Sequence, residues 1–397
     1  MPDTHGQNLR NQFLLDPGVV FLNHGSFGAC PRPVFEAYQA WQLRLERQPV
    51  AFLDPVRGYA GFLRAARAAL AAELGADPDD LVGVMNATVG LNIVAQSLRL
   101  GPGDEILTTD HEYAALEKTW AFVARRTGAR IVVAQVPLPL TAEADFTGVL
   151  QEAMTDRTKV LFLSHITSAT ALHFPIGPII AEARARGILS VIDGAHVPGH
   201  VPLDLDALGA DFYAGNCHKW LMAPKGSAFL HVRRERQAMI DPLVISHGWT
   251  PNNAEPGPFG NTAFIDRLEM QGTRDPSAFL AVPDAIAFRA AHDWPRVMAA
   301  AKALADETEA RMARRTGLAP FSSPAFRAPQ MAALRLPRTD PRKLQADLME
   351  GWSIEIPCFD WQDNTIARIS TAGYTTPAEA DLLVEALTSL LTLPRAA

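Results

Sequence analysis

The chain has 397 residues, 48% of them hydrophobic and 20% charged, with a formal net charge of −7. That length predicts one large and one smaller domain, and an acidic chain without a basic block argues against nucleic acid as a partner. No apolar run reaches the roughly 18 residues of a membrane span. Cys30, Cys217 and Cys358 are far apart and form no CxxC pair or metal-ligand spacing, as befits a reducing compartment. With a polar N-terminus that lacks a signal-peptide core, the expectation is a cytoplasmic protein with no metal.

Residues 1 to 18 read as an exposed arm. Val19 to Leu22 is a short apolar strand, followed by Asn23-His24-Gly25-Ser26-Phe27-Gly28. The two glycines of that turn let backbone approach another surface closely. Pro31 and Pro33 mark the start of a helix that runs to Arg47. A second amphipathic helix, Gly58 to Leu74, is stopped by Gly75 and Pro78.

From Leu81 strands and helices alternate. Leu81–Met85 reads as a strand, after which Asn86-Ala87-Thr88-Val89-Gly90 opens a helix to Leu98. Strand Glu105–Thr109 precedes helix His111–Arg126, and strand Arg130–Val136 precedes a helix containing Val149–Met154. Strand Lys159–Ser164 precedes helix Ile176–Arg186, and Leu189–Asp193, Asp211–Gly215 and Ser227–Val232 close the series. Val-, Ile- and Leu-rich strands alternating with helices predict an α/β fold with a mostly parallel seven-stranded sheet covered on both faces. Ligands of such sheets sit at the carboxyl ends of the strands. Asn86, His111, Ser168, Asp193 and Lys219 all fall at or just beyond a predicted strand end.

Residues 250 to 262 (TPNNAEPGPFGNT) form a loop. Helices Ser277–His292 and Trp294–Arg315, strand Gln330–Leu336, helix Pro341–Glu350, strands Ser353–Ile356 and Thr365–Ser370, and helix Pro377–Leu390 then read as a smaller α/β unit. The expected division is a large domain over 31–275 and a small domain over 276–397, with residues 1–30 an arm associated with the latter.

An acid ending one buried strand, Asp193, and a lysine just past the next, Lys219, can face one pocket. Pyridoxal phosphate requires that pair: an amine for its aldehyde, and a carboxylate that keeps its ring nitrogen protonated. A buried aspartate is costly without a cation, and a pyridinium is such a cation. Lys225 competes with Lys219 but precedes a glycine before a strand, as a turn lysine does. Asn86-Ala87-Thr88-Val89 offers helix-start N–H groups and a hydroxyl to a phosphate.

These elements resemble the class V aminotransferase family of fold-type I pyridoxal phosphate enzymes, and within it the isopenicillin N epimerase-like branch. The phrases that carry the likeness are FLNHGSFG (21–28), NATVGLN (86–92), TTDHEYAAL (108–116), SHITSATALHFPI (164–176), VIDGAHVPGH (191–200), His218-Lys219, QGTRDPSAFLAV (271–282) and ARIST (367–371). The resemblance implies that Ala87 and Thr88 hold the cofactor phosphate, with Asn216 and His218 directed toward it. It implies that His111 stacks on the cofactor ring, with Tyr113 a rival, and that Ser168 and His196 address the phenolic oxygen. Ser168 departs from the asparagine often found there. Thr273 is implied to reach the phosphate of a neighbouring subunit, which calls for a symmetric homodimer. Arg368 is implied to grip the substrate carboxylate, and Asn23 and His24 to line the substrate side, as would His247, Trp249 and Arg274 more weakly.

The reaction so implied begins with Lys219 taking the α-proton of an amino-acid substrate. Epimerisation needs a second acid opposite Lys219, for which His24, Tyr113 and His247 are candidates. Transamination and C–S cleavage of the desulfurase type are the alternatives on one scaffold. Cys358, the only plausible desulfurase thiol, reads as core or pocket lining.

Overall fold

The computed structural model describes residues 9–394. Its strands in chain order are β1 (Val20–Phe21), β2 (Leu81–Val84), β3 (Glu105–Thr109), β4 (Arg130–Ala134), β5 (Thr158–Ser164) and β6 (Leu189–Asp193). Then come β7 (Phe212–Asn216), β8 (Ala228–Val232), β9 (Met331–Leu336), β10 (Ile354–Glu355), β11 (Cys358–Trp361) and β12 (Asn364–Ser370). The main sheet has seven strands in the order β2-β8-β7-β6-β5-β3-β4. Only β8 runs antiparallel to its neighbours. The expected α/β architecture is therefore present.

Near-continuous burial of β2, β5, β6, β7 and β8 matches their apolar runs, since helices cover both faces. Helix Ala87–Ser97 crosses the middle of this sheet, packing on β6, β7 and β8. Its Gly90 makes the close approach possible, because a Cβ there would lie 3.1 Å from that of Ala214 on β7. Asn86 caps it, accepting the Val89 N–H at 2.9 Å. The parallel register Ser164↔Asp193↔Ala214 aligns the carboxyl ends of β5, β6 and β7 at one edge.

A second, antiparallel sheet of order β11-β12-β9 packs against helices Trp294–Thr316, Pro341–Trp352 and Pro377–Leu390. β1 pairs with β10 in parallel, so the N-terminal segment is stitched to the C-terminal one.

Several sequence expectations shift. Residues 1–8 of the expected exposed arm lie outside the described residues, while Leu9 and Phe13 are buried, Phe13 with its ring edge-on to Tyr374. The turn after β1 contains one helical turn, His24–Phe27. Helix Ser277–His292 is two helices, Ser277–Leu280 and Val282–Ala290, because Pro283 has no N–H to continue the first. Val282–Ala290 packs on helices Arg32–Arg47 and Ala60–Leu74. The helix expected from His111 begins at Ala114, since Thr109 bonds both the His111 N–H and the Glu112 carboxylate and holds 109–112 as a turn. Strand β11 went unread, being four residues long and separated from β12 by a two-residue turn.

Candidate active site

The carboxyl ends of β2, β5, β6 and β7 open into a cavity of about 800 Å³. Lys219 enters it from the turn after β7, and Asp193 forms its floor at the end of β6. The Lys219 Nζ is 3.0 Å from His196 Nε2. Trp220 Nε1 can only donate, and it points to His196 Nδ1 at 3.4 Å. His196 is buried and held neutral, so its remaining proton sits on Nε2 and is donated to an uncharged Lys219 amine. Electrostatics weaken the ammonium form as well. Burial, then the positive charge of Arg368, pushes the Lys219 ammonium down to about 7, against the pull of Asp193.

Asp193 is buried, and its carboxyl is raised by that burial. Oδ1 accepts the Ala195 N–H at 2.9 Å. Among the described residues Oδ2 has no hydrogen-bond partner and no cation forms an ion pair with the group.

At the helix Ala87–Ser97 end of the cavity, the Ala87 N–H donates to Asn216 Oδ1 at 2.8 Å. Ala87 and Asn216 thus line the cavity but satisfy each other. The N–H and hydroxyl of Thr88 make no hydrogen bond among the described residues and are available to an anion. His218 also lines the cavity, its Nδ1 donating to the Ser227 carbonyl at 3.3 Å.

The opposite end is closed by Arg368 on β12. Its Nη1 donates to the Ser168 carbonyl at 2.5 Å and the Ser168 hydroxyl at 3.2 Å, and its Nη2 to the Ser26 hydroxyl at 3.1 Å. Ser168 therefore serves the guanidinium in this structure. Arg368 is buried, its Nε has no partner among the described residues, and burial pushes its pKa down to about 10. No carboxylate among the described residues forms an ion pair with it. A buried guanidinium without an anion suits a substrate carboxylate.

Other expected residues stand elsewhere. His111 does not line the cavity. Its ring packs 4.6 Å from Trp361 and edge-on to Phe174, with Nδ1 on the Thr170 hydroxyl at 2.8 Å. Tyr113, the rival ring, is in the cavity wall. His24 does not line this cavity either. Burial lowers it to about 3 and keeps it neutral. A carbonyl only accepts, so Nε2–H donates to the Lys219 carbonyl at 3.0 Å and Nδ1 accepts from the Tyr374 hydroxyl at 2.9 Å. His24 thus braces the lysine turn from behind. Asn23 is drawn away by Glu355, to which it donates at 2.8 Å. Thr273 and His247 are exposed and outside this cavity. Lys225 is in the wall, but its Nζ donates to the Gly28 carbonyl at 3.0 Å.

Glu112 is a further acid at this site that no sequence motif marks. It is buried under the cavity, accepts from the Ser164 N–H and hydroxyl and from Thr109, and burial lifts its carboxyl to about 7. A buried acid leaves no apolar period to find; its only sequence signal is its place at a strand end.

The donor set fits pyridoxal phosphate. It offers a buried amine with a weakened hold on its proton, a buried carboxylate lacking a cation, helix-start donors without a partner among the described residues, and positive charge from Lys225 and Arg368. Residues 53–383 match the Aminotransferase class-V family, so the chain belongs to it and is a pyridoxal phosphate-dependent enzyme. Among named relatives, the isopenicillin N epimerase of Amycolatopsis lactamdurans is 39% identical over 400 residues, covering 98% of this chain and 100% of that protein. The isopenicillin N epimerase of Streptomyces clavuligerus is 38% identical over 391 residues, covering 97% and 98%. A crystal structure of a cysteine desulfurase from Escherichia coli superposes with a TM-score of 0.82 at 24% identity, over 98% of this chain and 99% of that one, and so shares the fold.

Proposed function

We propose that this enzyme inverts the amino-bearing carbon of an isopenicillin N-like substrate. The observation that carries the reading is full-length likeness, at 38–39% identity, to two isopenicillin N epimerases. Bound pyridoxal phosphate supplies an aldehyde for an amine and a ring that accepts the electron pair left at Cα. Lys219 is the amine that holds it and, once displaced by substrate, the base that removes the α-proton. Asp193 answers the positive charge on the ring nitrogen, and Thr88 and His218 receive the phosphate. Tyr113 covers the ring face in place of His111. Arg368 orients the substrate by its carboxylate. Thr273, exposed on its own chain, serves the neighbouring site of a homodimer.

A desulfurase needs a reactive thiolate. Burial raises the thiols of Cys30 and Cys358 to about 12 and that of Cys217 further, which disfavours that alternative.

The test is to incubate the cofactor-loaded protein with isopenicillin N and separate the two epimers by chiral chromatography. Keto acid and sulfide release from amino acids are assayed in parallel. Inversion is the expected outcome, and keto acid or sulfide without inversion sinks the reading. Lys219→Ala should lose the borohydride-reducible link to the cofactor; its persistence would move the assignment to Lys225.

A further inference from the structure

Inversion requires two proton-transfer groups on opposite sides of Cα, and Lys219 is one. Of the three candidates for the other, only Tyr113 lines this chain's own cavity. Both ring nitrogens of His24 are engaged, by the Lys219 carbonyl and the Tyr374 hydroxyl, and His247 is exposed away from the cavity. Lys225 comes from the Lys219 side of the sheet and is tied to the Gly28 carbonyl.

Tyr113 remains. The strand order β7-β6-β5-β3 sets the geometry. Lys219 follows β7, on one side of the strand that ends in Asp193. Tyr113 follows β3, two strands to the other side, so the two residues line the cavity from turns on either side of β6. Tyr113 is 45% exposed, and its hydroxyl has no hydrogen-bond partner among the described residues. It lies within electrostatic reach of Arg368, where a negative oxygen would strengthen the guanidinium's hold on its proton. The guanidinium proposed to hold the substrate carboxylate lines the same cavity as the phenol, and a carboxylate is one bond from Cα.

We propose that Tyr113 is the second catalytic acid, delivering a proton to Cα on the face turned away from Lys219. Lys219 Nζ takes the α-proton from one face as the C–H bond breaks, leaving the bonding electron pair behind on the substrate side. The Tyr113 O–H bond then breaks as a C–H bond forms on the other face. The proton held by Lys219 and the charge left on Tyr113 are cleared through solvent, which the exposure of Tyr113 permits. No oxidant or reductant is consumed.

The inference rests on the epimerase reading, and the experiment separates the two. Wild-type holoenzyme and Tyr113→Phe are each incubated with isopenicillin N in D₂O, and deuterium at Cα is measured separately in each epimer. Phenylalanine keeps the ring that covers the cofactor and removes only the hydroxyl. The expected result is that Tyr113→Phe still exchanges the α-hydrogen through Lys219 with retained configuration, while inversion falls about 100-fold, a typical loss for a general acid. Inversion at the wild-type rate in the variant overturns the assignment of Tyr113 and leaves the epimerase reading standing. Equal loss of exchange and inversion also overturns it, pointing to a binding role. A wild-type enzyme that neither exchanges nor inverts this substrate overturns the epimerase reading and this inference with it.

Discussion

Lys219 shows how one residue's chemistry is set by its surroundings. An ordinary lysine titrates at 10.5, and burial with the nearby Arg368 charge brings this one to about 7. Only the uncharged amine attacks an aldehyde. The rate at which apoenzyme takes up pyridoxal phosphate should therefore climb about tenfold per pH unit below the midpoint and level off above about 7. Removing the Arg368 charge removes a repulsion that favours the free amine, so Arg368→Gln should move the midpoint upward. Stopped-flow absorbance of cofactor uptake from pH 5 to 9 measures both. A midpoint unmoved by Arg368→Gln would mean that burial alone sets it.

At the scale of elements, the site depends on the turn Asn23–Gly28 lying against the turn that carries Lys219. Gly28 has φ 70°, and a Cβ there would sit 1.9 Å from the His218 carbonyl oxygen and 3.0 Å from the Lys219 Cα. Both neighbours are backbone, so neither can swing aside as a side-chain tip can. Gly28→Ala should cost about 3 kcal/mol from overpacking and strain. It should also weaken cofactor binding by displacing His218-Lys219, whereas a surface alanine such as Gly148→Ala should do neither. Urea unfolding with cofactor titration tests this; a stable Gly28→Ala protein with normal cofactor affinity would contradict it. The same turn presents His24 to the Lys219 carbonyl, with Tyr374 behind it. Residues from both ends of the chain thus steady the lysine.

Taken as a whole molecule, the chain buries Arg368 of the antiparallel sheet against Ser168 in the turn that follows β5, so the smaller sheet supplies one wall of the cavity. Thr273 faces outward in one chain, and its proposed role requires a second. If each phosphate is held by Thr273 of the partner, Thr273→Val should weaken cofactor affinity. Mixed dimers formed from Lys219→Ala and Thr273→Val chains should then contain one fully intact site. Recovery of activity on mixing two impaired variants, alongside a dimer mass in light scattering, is the expected outcome. A monomer in solution, or mixing without recovery, would count against it.

The sequence by itself determined the alternation that builds the sheet, the placement of Asp193 and Lys219 at strand ends, and the close-approach role of Gly28. Each of these is local, written in apolar period, strand length or the lack of a side chain. Only the tertiary structure decided which rings face the cavity. His111 and Tyr113 are two residues apart and chemically similar in prospect, but Trp361, distant in the chain, packs on the first and leaves the second in the wall. His24 became a brace because Tyr374 lies behind it, and Ser168 became a partner of Arg368, 200 residues away. Side-chain direction depends on such long-range packing, and no local pattern carries that information.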